Sequence, residues 1–435
     1  MTQDHTSRHR RRLSATVTDL EVPIQRAFLV GVELPGMTTV ESERSLDELT
    51  LLTDTAGSEP VDQELVRRSR IEPAIYIGSG KADELGSLTR ALDIDVVVFD
   101  NALSPAQQRN LQKIFHCDVV DREALILDIF AQHAKTKVGS LQVELALLRY
   151  NLPRLKGQGV ALSQQGAGIG TRGPGETKLE TDRRRILQRM SKLERELKEA
   201  DKHRTTQRKA RRRSDIPQIA IVGYTNAGKS TLLNSLTDAE ALVEDRLFAT
   251  LDSTVRRLEL PNHRPVLVAD TVGFVRRLPH HLVEAFRSTL AEVSESDLLI
   301  HVVDGSDDDP AGQMAAVREV LSEVKAASIP EVLAFNKSDI MGPAETKRIA
   351  NLYPQAVTIS AQTGEGLNHL LDRLADVLEL QMVTLTWEVP YDRGDVVAAA
   401  HRVGEVIEEK HDEAGTVIEV RVPEASTSQF SDFVR

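Results

Sequence analysis

One nine-residue segment restricts what this chain can fold into more than any other. The segment GYTNAGKST (223–231) follows the apolar run IAIV (219–222) and precedes the helix-like sequence STLLNSLTD. It matches the pattern G-x-x-x-x-G-K-[ST] in the strand, loop and helix context that the pattern requires. Its glycines let backbone N–H groups turn inward around phosphate groups, and the helix N-terminus adds positive potential. The segment therefore predicts a phosphate-binding loop (P-loop) in an α/β fold.

Two side chains of this loop have the chemistry to hold a nucleoside triphosphate. Lys229 can reach the β- and γ-phosphates, and the Ser230 hydroxyl can ligate Mg²⁺. The loop does not by itself indicate which base is bound. The predicted nucleotide contacts span the whole segment, namely Gly223, Tyr224, Thr225, Asn226, Ala227, Gly228, Lys229, Ser230 and Thr231.

Two later segments indicate that the base is guanine. NKSD (336–339) follows the apolar run EVLAF, and the carboxylate of Asp339 can accept hydrogen bonds from the N1–H and 2-amino groups of guanine. Adenine has no donors at these positions and would leave a buried carboxylate unpaired. In SAQTGEG (360–366) the N–H of Ala361 can meet the guanine oxygen. Asn336 can also tie its loop to the P-loop, and the stem of Lys337 can cover the base. The predicted contacts are Asn336, Lys337, Ser338, Asp339, Ser360, Ala361 and Gln362.

Two further segments have the features of switch loops, which order around a γ-phosphate and relax after its loss. In DTVG (270–273), Asp270 can hold Mg²⁺ through water and the Gly273 N–H can bond the γ-phosphate. In FATLD (248–252), the Thr250 hydroxyl can complete the Mg²⁺ shell. The predicted nucleotide contacts are Phe248, Ala249, Thr250, Leu251, Asp252, Asp270, Thr271, Val272 and Gly273. The predicted metal ligands are Ser230, Thr250 and Asp270. The predicted catalytic residues are Lys229, Thr250 and Gly273.

The residue after DTVG is Phe274, at a position where a water-orienting glutamine is often found. Phosphoryl transfer needs both charge neutralisation and an oriented water molecule. Lys229, Mg²⁺ and the P-loop amides supply the first, whereas Phe274 cannot supply the second. Two interpretations stay open: a partner activates a slow intrinsic hydrolysis, or Phe274 packs under its loop while a nearby polar residue orients the water.

The order of apolar and polar segments predicts an α/β chain with several domains. In the first α/β part, AFLVGVEL (27–34), AIYIG (74–78) and DVVVFD (95–100) are predicted strands, which we expect to be parallel. The predicted domains are a disordered basic tail (1–20), an N-terminal α/β subdomain (21–120), a long helical hairpin with a glycine-rich loop (121–214), the nucleotide-binding domain (215–378) and a small C-terminal α/β module (380–435).

The hairpin is predicted from two long helical patterns on either side of the glycine-rich loop 157–176. The first pattern covers 121–152, with a weak point at Gly139, and the second covers about 177–212. In the second, apolar residues repeat at spacings of four, three and four, which predicts a buried seam along the helix formed by Ile186, Met190, Leu193 and Leu197. In the C-terminal module we predict a helix at 392–410 and assign Trp387 to the core.

Charge is strongly segregated along this chain. The net charge is −12, yet residues 178–213 contain fifteen Lys or Arg residues and have a net charge of +9. A long charged helix can simply be a solvated face, but a local sign opposite to the global one favours contact with RNA. Arg172 in the adjoining glycine-rich loop can pair with a phosphate. We therefore predict that the hairpin binds RNA.

Other features narrow the class of protein by exclusion. The one cysteine, Cys117, allows no disulfide within a single chain, and the first twenty residues lack the apolar region of a secretory signal. No apolar run is long enough to span a bilayer, so we expect a cytoplasmic protein. We also expect a monomer. GSGKADEL (78–85) lacks the required hydroxyl residue and is interpreted as a turn before a helix. His280 and His281 are adjacent and have no neighbouring ligand residues, so no metal site is expected there.

The motifs together resemble those of a known family. GYTNAGKST, FATLD, DTVGF, NKSD and SAQ resemble the five motifs of translation-factor-class GTPases, and GTRGPGETKLETDRRRI (170–186), just before the nucleotide-binding domain, resembles the HflX family of bacterial ribosome-associated GTPases. The resemblance covers the whole chain. It implies GTP as substrate, Mg²⁺ as cofactor, and the large (50S) ribosomal subunit and its rRNA as partner, bound through the N-terminal region and hairpin. It also implies a role in splitting or rescuing stalled ribosomes.

Three alternative functions stay open from the sequence. The first is a ribosome-assembly GTPase, which would bind precursor particles. The second is an ATP-driven RNA remodeller, against which Asp339 argues because its carboxylate favours guanine. The third is a regulatory module in which hydrolysis only times release from a partner.

Overall fold

The described residues fall into two compact units. The computed structural model describes residues 24–155, 174–212, 216–237, 247–248, 254–277, 282, 287–380, 382–412, 415–423, 427 and 433. Contacts divide the chain into Met1–Arg122 and Glu123–Arg435. The predicted basic tail (1–20) and most of the glycine-rich loop, including Arg172, lie outside the described residues. The finer domain boundaries stay predictions.

The first unit is built on a parallel sheet, as the sequence predicts, and its strand order is β2-β1-β3-β4. The buried runs 27–32 and 96–99 lie in β1 and β3, which have a neighbour on each side. Such continuous burial is expected for strands covered by helices on both faces. The strands are β1 (Gln25–Glu33), β2 (Ser58–Arg67), β3 (Val96–Phe99) and β4 (Asp118–Asp121), and the helices are α1 (Thr39–Thr55), α2 (Ser79–Ala91) and α3 (Pro105–Phe115).

The predicted strand AIYIG (74–78) is wrong. Its backbone forms a turn in which Tyr76 has φ of +65° and pairs only with Glu72. The segment is apolar because Ile75, Tyr76 and Ile77 are buried under the sheet. The strand that pairs with β1 is instead SEPVDQELVR, which the sequence does not reveal because it is a polar edge strand with only Val66 fully buried. Gly78 caps α2, so GSGKADEL is a turn before a helix, as interpreted.

The long helix predicted over 121–152 is broken. It consists of α4 (Arg122–His133) and α5 (Lys137–Asn151). The break comes before Thr136, whose hydroxyl accepts a hydrogen bond from the Gly139 N–H at 3.0 Å and so caps α5. Gly139 therefore lies inside the first turn of α5 and is not the weak point. A threonine that caps a helix satisfies N–H groups that the first turn leaves unpaired.

The next helix, α6 (Pro174–Arg212), packs against α5 along the predicted seam. Leu193 is fully buried, and Ile186, Met190 and Leu197 are half-buried. Ion pairs flank the seam between Arg189 and Glu144 at 2.6 Å and between Arg149 and Glu194 at 2.9 Å. The described basic residues on the remaining faces of α6 are exposed, namely Arg183, Arg184, Arg185, Lys192, Arg195, Lys198 and Lys202.

A six-stranded sheet follows in the order β10-β9-β8-β5-β7-β6, parallel except for the β6–β7 pair. The carboxyl ends of its parallel strands meet at one edge, which is where ligands bind in open α/β sheets. The strands are β5 (Gln218–Gly223), β6 (Val255–Glu259), β7 (Pro265–Asp270), β8 (Leu298–Asp304), β9 (Glu331–Asn336) and β10 (Val357–Thr358), and the helices are α7 (Lys229–Thr237), α8 (Arg287–Ser294), α9 (Pro310–Glu323), α10 (Pro343–Leu352) and α11 (Leu367–Leu380).

A small antiparallel sheet with strand order β11-β13-β12 ends the described chain. It consists of β11 (Met382–Val389), β12 (Glu405–His411) and β13 (Thr416–Pro423), with helix α12 (Gly394–Val403) between β11 and β12. Trp387 is fully buried among its core residues, as predicted. The helix predicted over 392–410 is too long, because the chain becomes extended at Gly404 and continues as β12. Among the described helices, none has the length and apolar character needed to cross a membrane.

Candidate nucleotide-binding site

The P-loop joins the end of β5 to the start of α7, as its pattern predicts. Gly223 lies so close to β8 that a Cβ there would collide with the carbonyl oxygen of Val302. Gly228 has φ of +91°, and a Cβ there would collide with the amide of Asn336. Both positions therefore require glycine, one for the close approach of a strand and one for backbone conformation. Asn226 also adopts a left-handed conformation, at φ of +59°.

Lys229 is buried at the start of α7 and points back along the loop. Its Nζ donates a hydrogen bond to the carbonyl oxygen of Tyr224 at 2.6 Å. Burial lowers the pKa of Lys229 to about 8, although the nearby carboxylate of Asp270 raises it. The charged form is therefore costly in the absence of phosphate, because water has been removed without a full counter-charge.

This lowered pKa predicts that nucleotide binding takes up a proton at alkaline pH. Phosphate oxygens next to Lys229 favour its charged form, so above pH 8 the neutral amine of the nucleotide-free protein must be protonated on binding. In the nucleotide-free protein, the same linkage means that Lys229 raises the free energy of unfolding as pH rises from about 8 toward 10.5. Over this range the unfolded chain keeps the proton that the folded protein has lost. Affinity for GDP should fall by up to about tenfold per pH unit above pH 8.

The measurement is calorimetric titration of GDP at pH 7.5 and pH 9 in buffers with different ionisation enthalpies. We expect about a quarter of a proton to be taken up per GDP at pH 7.5 and close to one at pH 9. A binding enthalpy at pH 9 that does not depend on the buffer would show that Lys229 keeps its proton in the nucleotide-free protein.

Two of the predicted metal ligands meet at the carboxyl end of β7. The Ser230 hydroxyl donates a hydrogen bond to Asp270 Oδ2 at 2.7 Å, and both residues are buried or partly buried. A hydroxyl and a carboxylate are hard oxygen ligands of the type that Mg²⁺ prefers. The donor set therefore fits Mg²⁺. The third predicted ligand, Thr250, lies outside the described residues, together with Ala249, Leu251 and Asp252.

Asn336 joins the P-loop to the loops predicted to bind the base. Its Nδ2 donates to the carbonyl oxygen of Ala227 at 2.8 Å, so the predicted tie is present. Its Oδ1 accepts from the N–H of Ala361 at 2.8 Å. In this structure the Ala361 N–H therefore binds Asn336, and its role as a donor to the guanine oxygen stays a prediction. The buried side chain of Asn336 thus connects its own loop to the P-loop and to the loop 360–366.

The carboxylate of Asp339 is oriented by a neighbouring loop. The Ser360 hydroxyl donates to Asp339 Oδ1 at 2.6 Å. Lys337 forms an ion pair with Asp304 at 2.6 Å, which is not among the contacts predicted from the sequence. The signal was available, because Asp304 ends the apolar strand β8 just as Asp270 ends β7. Ser338 is half-buried with its hydroxyl oxygen shielded from solvent, and Gln362 is exposed.

Switch II, defined here as residues 270–277, lies directly on the P-loop. The Thr271 hydroxyl donates to the carbonyl oxygen of Ile221 at 2.6 Å, and Val272 is buried, so both side chains pack inside the domain. A Cβ at Gly273 would lie 2.8 Å from Thr225 Cγ2 and 3.0 Å from Lys229 Nζ. Only glycine can therefore lie this close to the lysine.

Phe274 is fixed both by its backbone and by its side chain. Its carbonyl oxygen accepts from the Thr225 N–H at 2.7 Å, and its own N–H donates to the Gly223 carbonyl oxygen at 3.2 Å. The side chain is 1% exposed. A side chain buried in this way cannot orient a water molecule, and its burial is compatible with both interpretations of the sequence.

A Phe274→Gln variant should therefore hydrolyse GTP no faster than the wild type, within about twofold, because the new amide would be buried away from the phosphates or would disturb the loop. Single-turnover hydrolysis with excess protein measures this, with Phe274→Leu as an apolar control. A glutamine variant that gains tenfold or more in rate would place this side chain at the phosphates instead.

Two contacts of Arg276 in switch II are not predicted from the sequence. Arg276 donates through its N–H to the Tyr224 hydroxyl at 2.7 Å and through Nη2 to Asp309 Oδ2 at 2.6 Å. Asp309 also caps α9. No local pattern indicates this contact, because the two charged residues are 33 positions apart.

Of the first switch loop, only Leu247 and Phe248 are described. Both are buried, and the Phe248 ring packs edge-on against Phe130 of α4, with ring centroids 4.7 Å apart. Phe248 is therefore a packing residue in this structure rather than a surface open to a nucleotide. His280 and His281 lie outside the described residues. Within the described residues no cluster of His, Cys, Asp and Glu is suited to a metal ion.

The fold and site together are those of a P-loop GTPase. Three family models match the chain, described as GTP-binding GTPase N-terminal (43–131), GTP-binding GTPase middle region (133–211) and 50S ribosome-binding GTPase (218–337). GTPase HflX of Caldanaerobacter subterraneus subsp. tengcongensis is 45% identical over 92% of this chain and 91% of its own length. GTPase HflX of Escherichia coli is 42% identical over 87% and 89%, respectively. The chain belongs to the HflX family of GTPases.

Among solved structures, a GDP complex of SsGBP is similar over 81% of this chain and 98% of its own length. Its sequence identity is 25% and its TM-score is 0.45.

Proposed function

We propose that this chain hydrolyses GTP with Mg²⁺, that the large ribosomal subunit stimulates the reaction, and that the protein splits or rescues stalled ribosomes in the cytoplasm. The observation that carries the proposal is the occurrence, in one chain, of a GTPase site and an exposed basic helix, α6. The family model over 218–337, described as a 50S ribosome-binding GTPase, supports the same partner.

The chemistry follows from the geometry of the P-loop. Lys229 would place its charge at the β- and γ-phosphates, and the Gly273 N–H would bond the γ-phosphate. Asp339 would hold guanine through its carboxylate, which the Ser360 hydroxyl orients. Mg²⁺, held by Ser230 and through Asp270, would neutralise charge on the β- and γ-phosphate oxygens when bound. Thr250 stays a proposed third ligand.

The attacking water is the part of the mechanism that this chain does not complete alone. Phe274 is buried, so its side chain cannot hold the water. We infer that the ribosome either supplies an orienting group or rearranges switch II. An added group of this kind can change the rate of a GTPase by about 10³-fold or more.

The ribosome-facing surface is proposed on one side of α6. Six residues border a shallow depression there: Arg184, Leu187, Gln188, Ser191, Lys192 and Arg195. Three of the six residues are cations, and Leu187 among them is 43% exposed. Cations that contact phosphates release counterions, so binding to the ribosome should weaken steeply as salt rises.

The deciding experiment is GTP turnover by the full chain, alone and with purified 50S subunits, with 30S subunits as the matched control. We expect slow turnover alone and stimulation by 50S subunits only. Equal rates in all three mixtures would overturn the proposed activation by the ribosome.

Sedimentation of 70S ribosomes with the protein then separates the proposed role from ribosome assembly. A splitting factor releases free subunits from 70S particles in the presence of GTP or a non-hydrolysable analogue. A factor that binds only precursor particles, and leaves 70S ribosomes intact, would favour ribosome assembly instead.

A further inference from the structure

We propose that Asp309 is a positioning residue whose ion pair with Arg276 holds switch II against the P-loop and thereby biases the site toward GDP over GTP. We call this ion pair the Arg276–Asp309 latch. The inference rests on the proposed binding of GTP at this site, but it requires no ribosome.

Switch II occupies space that a γ-phosphate needs. A Cβ added to Gly273 would lie 3.0 Å from Lys229 Nζ, so the backbone of residue 273 is packed against the ammonium group. A γ-phosphate held by Lys229 on one side and by the Gly273 N–H on the other must separate these two groups. The observed position of switch II is therefore compatible with a diphosphate and must change for a triphosphate.

Three hydrogen bonds hold switch II in this position from the P-loop side. Two of them join the backbone of Phe274 to Thr225 and Gly223, at 2.7 and 3.2 Å. The third runs from the N–H of Arg276 to the hydroxyl of Tyr224, at 2.7 Å. The P-loop and switch II thus move together unless these bonds break.

The latch adds an anchor on the opposite side. Arg276 Nη2 lies 2.6 Å from Asp309 Oδ2, and the two side chains are 21% and 24% exposed. Asp309 sits at the start of α9, a helix fixed to the domain by buried residues such as Met314 and Val317. The ion pair therefore joins switch II, which must move for a triphosphate, to α9, which stays in place.

The two oxygens of Asp309 have separate tasks. Oδ2 accepts from Arg276, and Oδ1 accepts from the Gly312 N–H at 3.1 Å, which caps α9. Gly312 leaves room for this arrangement, because a Cβ there would collide with the Asp309 carboxylate and lie 2.7 Å from Arg276 Nη2. A substitution that keeps one acceptor can therefore retain the cap while it removes the latch.

Removal of the latch should change the preference between nucleotides rather than the overall affinity. A ligand shifts a two-state equilibrium only by its differential affinity for the two states, and the γ-phosphate is what distinguishes them here. Loss of one partly exposed ion pair should shift the ratio of the GTP and GDP dissociation constants by about fivefold in favour of GTP.

The test uses the full chain with GDP and with a non-hydrolysable GTP analogue, and compares Asp309→Asn and Asp309→Ser with the wild type. Asparagine and serine both cap helices well, but neither offers a second oxygen to Arg276. Asp308→Asn is the matched control, since it removes the same charge from the adjacent exposed position. We expect the ratio of dissociation constants to shift in both Asp309 variants and in Arg276→Gln, but not in Asp308→Asn.

Each outcome bears on the proposal. A shift in the ratio with melting temperatures close to that of the wild type supports the latch. An equal loss of affinity for both nucleotides, or a ratio that does not change, would overturn it by showing that Asp309 only caps α9. A wild-type protein that binds neither nucleotide would overturn the proposed function and the latch together, which distinguishes that failure from failure of the latch alone.

Discussion

An Asp339→Asn variant is expected to lose affinity for GTP by roughly 10²-fold and to gain affinity for xanthosine triphosphate. The Asp339 carboxylate, which Ser360 holds in place at 2.6 Å, can accept from both donors on the guanine edge. A carboxamide would instead present an N–H to the 2-amino group, donor against donor. Xanthine has an oxygen at that position, so it restores the pairing. Competition among GTP, xanthosine triphosphate and ATP against a fluorescent guanine nucleotide measures all three preferences.

Glu365→Gln is the matched control for this change, because it neutralises an exposed carboxylate in the neighbouring loop 360–366. We expect this control to keep the wild-type preference for GTP. If Asp339→Asn also kept it, the guanine edge would have to lie elsewhere in the site. A gain of ATP binding without a gain for the xanthine nucleotide would show a general loosening of the pocket instead.

The nucleotide loops are predictable from sequence because each depends on short spacings that bring a few backbone groups together. The contact of Asn336 with the P-loop follows from such spacing, since β9 lies two strands from β5 and their carboxyl ends share an edge. The hydrogen bond from the Ala361 N–H to Asn336 Oδ1 is not indicated by these spacings. A motif indicates which group is present, but the three-dimensional neighbours decide which acceptor it meets.

The errors arise where a long-range contact overrides the local pattern. Strand β2 is polar and was missed, because its pairing with β1 rather than its own hydrophobicity makes it a strand. AIYIG is apolar and was taken for a strand, although it is a buried turn. The Arg276–Asp309 pair has no local signature at all. Each of these features depends on residues that are distant in sequence, which periodicity cannot reveal.

The second large effect is expected in the first unit, where an Arg122→Met variant should destabilise the sheet by roughly 3–5 kcal/mol. Arg122 is 3% exposed and lies 2.6 Å from Asp100 and 2.9 Å from Glu48. Burial alone would lower the pKa of Arg122, but these two carboxylates raise it above its ordinary value, so the residue stays charged. Methionine fills a similar volume and leaves Asp100 buried without its cation. The cost is therefore that of an uncompensated charge.

Hydrogen exchange in the full chain is the appropriate measurement, because the single tryptophan, Trp387, lies in the C-terminal module and does not report on this unit. Exchange at the β3 amides should accelerate by about 10²-fold or more, while the fluorescence transition of Trp387 stays where it is. Arg67→Met, which removes an exposed ion pair with Glu33, should change exchange little. Adding Asp100→Asn to Arg122→Met should restore part of the protection, because the stranded charge is then gone. If the double variant is no better protected than Arg122→Met, the loss comes from packing and not from charge.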